Sequence, residues 1–347
     1  MTQQEKKEEL RHHIQEALTP LIDDDYVFLE LPFYINPGDA LIWKGTEQFL
    51  SELPYRCLYR AAFSTFDYQP LPKNVIIVMQ GGGNFGDLYR SNQDFRLMIM
   101  EKYPDNRIVI LPQTVYYKSA LQLIRDVWAM RKHRYLTICA RDAYSYDFLR
   151  RYGFTSHVLM VPDMAFYCQM DDLRSLTVAE DKKLLVFKRV DAEQQASAYL
   201  DEAAATSGAD VSDWEVVEHP NEMTEKLRTL ILSQHPHQEI NDYCLQTLLP
   251  YLIASGVRQI SQYGKVVSTR LHAAIIAVLL EKETVVLNNS YGKNLHFYDT
   301  WLKNTERVSC VGCVKPDSLL RRMTMSLAVS ILKISSPCSP SSSPSTK

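Results

Sequence analysis

The sequence predicts an α/β protein of two parallel-sheet domains, and three observations carry that expectation. Strand-like and helix-like stretches alternate along most of the chain, which neither a helical bundle nor a β-sandwich would produce. Several strand-like stretches are unbroken apolar runs, such as Val75-Ile76-Ile77-Val78-Met79, the pattern of strands buried on both faces. The chain has 347 residues, more than one core ordinarily organises, so two domains are expected. Their boundaries fall at 1–170 for an N-terminal α/β domain with the glycine-rich loop, 171–182 for a charged linker, 183–334 for a C-terminal α/β domain and 335–347 for a disordered Ser/Pro tail.

The elements follow in order. Leu10, Ile14, Leu18 and Leu21 recur at helical spacing, so the first twenty or so residues form an amphipathic helix. Tyr26 to Leu31 is a first strand, followed by the loop Asn36-Pro37-Gly38-Asp39 and a helix from Ala40 to Leu53 that Pro54 stops. Cys57-Leu58-Tyr59 is a short strand-like run. Arg107 to Leu111 is a buried strand closed by Pro112, which cannot donate to a ladder. Ala120 to His133 is helical, Leu136 to Ala140 a strand leading into Arg141-Asp142, Ala143 to Tyr152 a helix closed by Gly153, and Val158 to Val161 a strand. In the second half Lys183 to Arg189 reads as a strand, Leu227–Leu232 and Leu245–Ala254 as helical, Arg258 to Ser261 as a short strand, and Thr284 to Leu287 as another strand.

The chain is organised around Val75 to Leu88. An apolar strand runs into Gly81-Gly82-Gly83-Asn84-Phe85-Gly86-Asp87, and a helical pattern follows. Strand, glycine turn and helix in that order set backbone N–H groups at a helix start, which attracts anions. Taken alone, the glycines are equally a tight turn. They match neither the dinucleotide fingerprint nor a P-loop, so an NAD enzyme or an ATPase is a poor first reading.

Composition bounds the rest. With 46% hydrophobic and 23% charged residues the chain has a globular profile. A net charge of −3 gives no bulk attraction to nucleic acid or anionic membrane, so counter-charges for any anionic ligand must be local. Seven scattered cysteines and a polar, acidic start without signal-peptide character point to a reducing, cytoplasmic setting, with the inner face of the membrane as the alternative. No stretch approaches the roughly 20 apolar residues of a membrane span. The lone Cys310-Val311-Gly312-Cys313 lacks a second pair for zinc, and Asp39, Asp87 and Asp142 stand singly, so neither a metal nor a cofactor is expected.

A second signal lies at Lys265 to Leu280. A strand ends at Ser268-Thr269, which can cap a helix beginning near Arg270, and Ala273 to Leu280 is an all-apolar, fully buried helix. A polar group at the mouth of a buried helix is unfavourable unless satisfied. Arg270 and His272 are therefore either a capping arginine and a core histidine, or a ligand site beside an anion-attracting helix end.

Taken together, these segments resemble the polysaccharide pyruvyl transferase family. The matching stretches are Asn36 to Gly45, Gly81 to Asp87, Leu111-Pro112-Gln113-Thr114, Arg141-Asp142, Arg270-Leu271-His272 and Asn288 to Asn294, within residues 25–302. The resemblance implies two Rossmann-like domains in a GT-B-like arrangement with the active site in the cleft between them. It implies that Arg270, Leu271 and His272 hold phosphoenolpyruvate, with Arg189, then Arg141, as a further arginine contact. The segment after Lys315 departs from the family pattern.

The implied activity is transfer of the pyruvyl group of phosphoenolpyruvate onto two hydroxyls of a sugar, forming a ketal with phosphate release in exopolysaccharide or cell-surface polysaccharide synthesis. Arginine forks suit the donor's carboxylate and phosphate. His272 and Asp87 are the acid/base candidates, Asp87 alternatively an N-cap. Lys293 is a phosphate ligand or a solvated loop lysine. Gly81, Gly82, Gly83, Asn84 and Gly86 form the glycine loop, and Asp39 and Gln113 belong to the acceptor side. The acceptor is a lipid-linked or polymeric glycan, and oligomeric state is left open. Two other readings stand beside this one: a GT-B-like glycosyltransferase using a nucleotide sugar, and a glycan-binding protein without catalysis.

Overall fold

The computed structural model describes residues 1–189, 197–219, 221–233 and 235–312. The expected Ser/Pro tail, the departure after Lys315 and Cys313 of the C-x-x-C lie outside the described residues. Two parallel sheets make up the molecule, as the alternating pattern requires. The first contains β1 (Tyr26–Leu29), β2 (Cys57–Ala61), β3 (Ile76–Met79), β4 (Gly82–Gly86), β5 (Ile108–Tyr116), β6 (Leu136–Ala140) and β7 (His157–Met160). Its order is β2-β1-β3-β5-β6-β7, with β4 also paired to β5. The second contains β8 (Lys182–Phe187), β9 (Ala209–Ser212), β10 (Tyr263–Ser268), β11 (Glu283–Leu287) and β12 (Val308–Val311), in the order β12-β11-β10-β8-β9.

Period-two alternation decides which core each strand residue joins. Phe28, Val78 and Leu111 of the first sheet and Leu185 and Val266 of the second point into one shared core with Leu41, Ile253 and Ile275 of the helices between the sheets. Their neighbours Ile77, Ile110 and Ile138 turn to a separate outer core, as do Val186, Val267 and Val285 in the second sheet. The helix Gln3–Leu18 buries Leu10, Ile14 and Leu18 in the shared core. It also reaches the second half, where Lys7 Nζ donates to the Leu279 carbonyl at 3.1 Å. Each fully buried leucine or isoleucine adds roughly 1.5–3 kcal/mol, so a common core holds the two sheets in a defined relation.

Several local expectations are corrected. The glycine stretch is no turn into a helix: residues 82–86 form β4, and the next helix, Arg90–Lys102, begins with Tyr89 at its cap. At Gly81 and Gly86 the backbone of β5 lies too close for a side chain. A Cβ on Gly86, whose φ is +119°, would lie 1.9 Å from the Tyr116 carbonyl oxygen. Pro112 does not end its strand. Pairing passes there from β3, with Met79 opposite Ile110, to β4, with Gly82 opposite Gln113, and the register with β6 shifts at the same place. Proline is tolerated at such an irregularity. Arg258 to Ser261 is the last turn of the helix Leu249–Ser261, whose buried Leu252, Ile253, Val257 and Ile260 keep helical spacing. Within the charged stretch 171–182 the structure has the short helix Met170–Arg174 over its first residues. No helix among the described residues is long and apolar enough to cross a membrane.

Candidate active site

The strands' C-terminal ends from both sheets converge on a cavity of about 330 Å³, the usual place for ligands in open α/β sheets. From the first half come Asn36, Asp39, Gly83, Asn84 and Arg141; from the second come Arg189, Arg270, Leu271, His272 and Lys293. Arg141 follows β6, Arg189 follows β8, Arg270 follows β10 and Lys293 follows β11. Four basic side chains, Arg141, Arg189, Arg270 and Lys293, face one cavity in a chain whose net charge is −3. A local cationic seat is therefore built against the overall charge.

Arg141 is fixed from behind. Its Nε donates to Thr114 Oγ1 at 2.8 Å and its Nη1 to Asp163 Oδ2 at 2.7 Å. Thr114 in turn donates to Asp142 Oδ2 at 2.9 Å, while Asp142 caps the helix Ala143–Tyr152 by accepting from the Ser145 amide. Arg141 and Asp163 side chains are each only 1% exposed. His272 Nε2 stands 3.4 Å from both Asp163 Oδ2 and Arg141 Nη1. Burial alone would raise the Asp163 carboxyl. The hydrogen bond and charge of His272, the Arg141 guanidinium and the Ala165 amide outweigh it and hold the acid well below the usual carboxylate range. A charged carboxylate thus stands behind an imidazole and a guanidinium, an arrangement able to orient a proton-transferring histidine.

Arg270 stands at the N-cap of the buried helix Leu271–Leu279, where no side chain caps the first amides. Its Nε and Nη2 grip both oxygens of Asp213, the latter at 2.6 Å. Asp213 also accepts from the Trp214 amide at 2.9 Å. Arg189 is anchored through its backbone amide, which donates to Thr269 Oγ1 at 3.1 Å, and it is 4% exposed. The expected cap from Ser268 and Thr269 is not made: Ser268 Oγ accepts from the Arg270 amide, and Thr269 Oγ1 donates to the Phe187 carbonyl.

The Asn-Pro-Gly-Asp run is the start of a helix, Pro37–Ser51, one turn earlier than its apolar spacing shows. Asn36 Oδ1 caps it by accepting from the Gly38 amide at 2.9 Å and the Asp39 amide at 3.4 Å. Gly38 is required by what lies against it, since a Cβ there would be 2.6 Å from His272 Nδ1. Asp39 faces the cavity, its Oδ2 accepting from Asn36 Nδ2 at 2.7 Å and Tyr34 Oη at 3.0 Å.

The cavity leaves out other sequence candidates. Asp87 is not among its lining residues and does not cap the helix Arg90–Lys102. Its carboxylate accepts from the backbone amides of Lys118 at 2.8 and 2.9 Å and of Ser119 at 2.6 Å, pinning the turn after β5. Gln113 is fully buried beneath the sheet edge and donates to the Gln80 carbonyl at 2.9 Å. Of the glycine stretch, Gly83 and Asn84 line the cavity, Gly81 and Gly86 allow close backbone packing against Pro112 and Tyr116, and Gly82 adopts φ +145°. Two carboxylates at the site, Asp163 and Asp213, were not among the sequence candidates. Each follows a strand end, β7 and β9 respectively, and that position is the one signal either carries.

Comparison with known proteins follows the same lines. A family model described as polysaccharide pyruvyl transferase matches residues 36–291. The Bacillus subtilis protein EpsO, described as a pyruvyl transferase, is 35% identical over 300 residues, spanning 84% of this chain and 91% of its own. Pyruvyl transferase 1 of Schizosaccharomyces pombe is 27% identical over 290 residues, 78% of this chain and 68% of its own. A crystal structure of a functionally uncharacterized Klebsiella pneumoniae protein superposes with a TM-score of 0.58 at 21% identity, over 88% of this chain and 99% of that one, and supports the two-sheet fold.

Proposed function

The chain belongs to the polysaccharide pyruvyl transferase family, and on that premise we propose that it forms a cyclic pyruvate ketal on a sugar, with phosphoenolpyruvate as donor. One sugar hydroxyl adds to C2 of the donor while a proton is delivered to the C3 methylene, making it a methyl group. A second hydroxyl of the same sugar then attacks C2, the C2–O bond to phosphate breaks, and inorganic phosphate leaves with the remaining proton. Arg270 and Arg189 hold the donor with Arg141, whose carboxylate and threonine partners keep it rigid, and Lys293 balances the phosphate. Fork-shaped guanidinium groups suit the planar carboxylate, and an ammonium suits the phosphate. His272, backed by Asp163, delivers the proton; Asp39 takes the hydroxyl proton in place of Asp87.

The observation that carries this reading is the convergence of three arginines, a lysine and His272 on one small cavity. The fit is chemical: two anionic groups on a three-carbon frame against three guanidinium groups and an ammonium, two of the guanidinium groups held in place by Asp163 and Asp213. The acceptor is a glycan, polymeric or lipid-linked, in exopolysaccharide or cell-surface synthesis. The test is incubation with phosphoenolpyruvate and a panel of methyl pyranosides, following phosphate release and the ketal methyl resonance. Turnover of UDP-sugars to UDP, with phosphoenolpyruvate untouched, would overturn the reading in favour of a glycosyltransferase.

A further inference from the structure

Two asparagines on the cavity wall, Asn84 of β4 and Asn92 of the helix Arg90–Lys102, have their amides oriented from behind. Behind them lies the ion pair Arg96–Glu30, 0% and 1% exposed, with Nη2 2.6 Å from Oε1 and Nε 2.9 Å from Oε2. Arg96 Nη2 also donates to Asn84 Oδ1 at 2.5 Å, and Nη1 donates to the Asn84 carbonyl at 3.2 Å. Glu30 Oε1 accepts from Asn92 Nδ2 at 3.1 Å. Asn84 has therefore turned its side-chain carbonyl toward Arg96 and Asn92 its NH₂ toward Glu30. What they offer the cavity is complementary: the amide donor of Asn84 and the carbonyl acceptor of Asn92.

We propose that Asn84 and Asn92 read two hydroxyls of the acceptor sugar, one as donor and one as acceptor, and that the buried Glu30–Arg96 pair is the positioning device that fixes which edge of each amide faces the ligand. The proposal rests on the reading above for the presence of a sugar. Two further features agree with it. Glu30 has φ +67°, a left-handed conformation that non-glycine residues rarely adopt and that persists where the surroundings impose it. A buried ion pair is also a poor stabiliser compared with apolar packing, so its geometry is the more informative property. Beside the asparagines, Tyr34, Phe63 and Tyr89 line the same cavity at 40%, 47% and 43% exposure. Such rings offer flat apolar faces to the C–H side of a pyranose, leaving the hydroxyls to the amides.

The test uses the full chain with phosphoenolpyruvate and matched methyl glucosides, galactosides and mannosides. Asn84→Ala removes the donor NH₂ together with the oxygen that accepts from Arg96, and adds no charge to the cavity. It should raise the acceptor KM by about 10-fold, as an unsatisfied polar contact implies, while the phosphoenolpyruvate KM stays within about twofold. The double replacement Glu30→Leu/Arg96→Met removes both charges together and frees both amides to rotate. It should raise the acceptor KM and narrow the preference between C4 epimers. Unchanged acceptor KM and epimer preference in Asn84→Ala would overturn the inference, as would equal losses for donor and acceptor. If wild-type protein released phosphate with none of the pyranosides, the ketal-transfer reading itself would fail, and this inference with it.

Discussion

Two buried arginine–carboxylate pairs lie in the first half of the molecule, and burial treats their acids alike while their surroundings do not. Arg141–Asp163 and Arg96–Glu30 are both almost fully enclosed, at 2.7 and 2.6 Å. Glu30 is pushed up to about 7 by burial, with the Arg96 charge and the hydrogen bonds from Asn92 and Arg96 only partly opposing it. Asp163 meets the same burial, yet His272, Arg141 and the Ala165 amide together drive it well below the carboxylate range. The lesson is that one cation does not keep a buried acid ionised at low pH, whereas an arginine, a histidine and a backbone amide together do. Asp163 can therefore present a lasting negative charge to the histidine of the site. Glu30 is better suited to orienting neutral amides.

The largest expected effect tests whether the Asp163 pair acts through His272. His272→Gln should lower kcat by ~10²–10⁴-fold while leaving phosphoenolpyruvate binding, measured by calorimetry, within severalfold; a variant with near-normal turnover would remove the histidine from the mechanism. Next, Asp163→Ala strands Arg141 without its carboxylate and should lower unfolding stability in urea by about 3–5 kcal/mol. A loss below about 1 kcal/mol would mean the pair is not the buried unit described. Arg270→Lys keeps charge but loses the fork that grips Asp213, so the phosphoenolpyruvate KM should rise about 10-fold.

The pH dependence of stability then separates the two acids by sign. Asp163 titrates lower in the folded protein, so its contribution is present above the unfolded value of ~3.9 and is lost as pH falls toward the folded one. Glu30 titrates higher in the folded protein, so between the unfolded value of ~4.3 and about 7 the wild type should lose stability as pH rises. Urea midpoints across that range should show a downward slope in wild type that Glu30→Gln flattens. Asp163→Asn should leave that slope in place and flatten the acid limb instead. The smallest effect is expected at Asp87. Asp87→Ala should cost about 1–2 kcal/mol through the lost amide contacts yet keep turnover within about threefold, and abolished turnover would return Asp87 to the chemistry.

Much of the fold is legible along the chain. Leu136–Ala140 and Ala143–Tyr152 coincide with the expected strand and helix. Each signal there is local: an apolar run, the Asp142 cap, and Gly153 at φ +69°. The misread places are those where a distant backbone overrode a local cue. Pro112 sits inside β5 because its neighbours change partner there, and the glycines became β4 because β5 lies against them. The site divides in the same way. Arg270, His272 and Lys293 stand out locally by a strand end or a helix start, whereas Arg189 and Arg141 are named through the family resemblance. Asp39 and Asp87 each follow an Asn and a Gly by a similar spacing, and nothing local distinguishes the carboxylate facing the cavity from the one tying down a turn.

By itself, then, the amino-acid sequence determined the alternation of strands and helices, the ends of sheets where ligands can sit, and the cations placed there. These depend on hydrogen bonding and burial within a few residues of each position. Only the tertiary structure decided which charges meet: Arg141 with Asp163, Arg270 with Asp213, and Arg96 with Glu30, partners separated by 22, 57 and 66 residues. Whether an acid stays ionised, and which edge of an amide faces a ligand, depends on groups brought together across the shared core, and no neighbour in the chain carries that information.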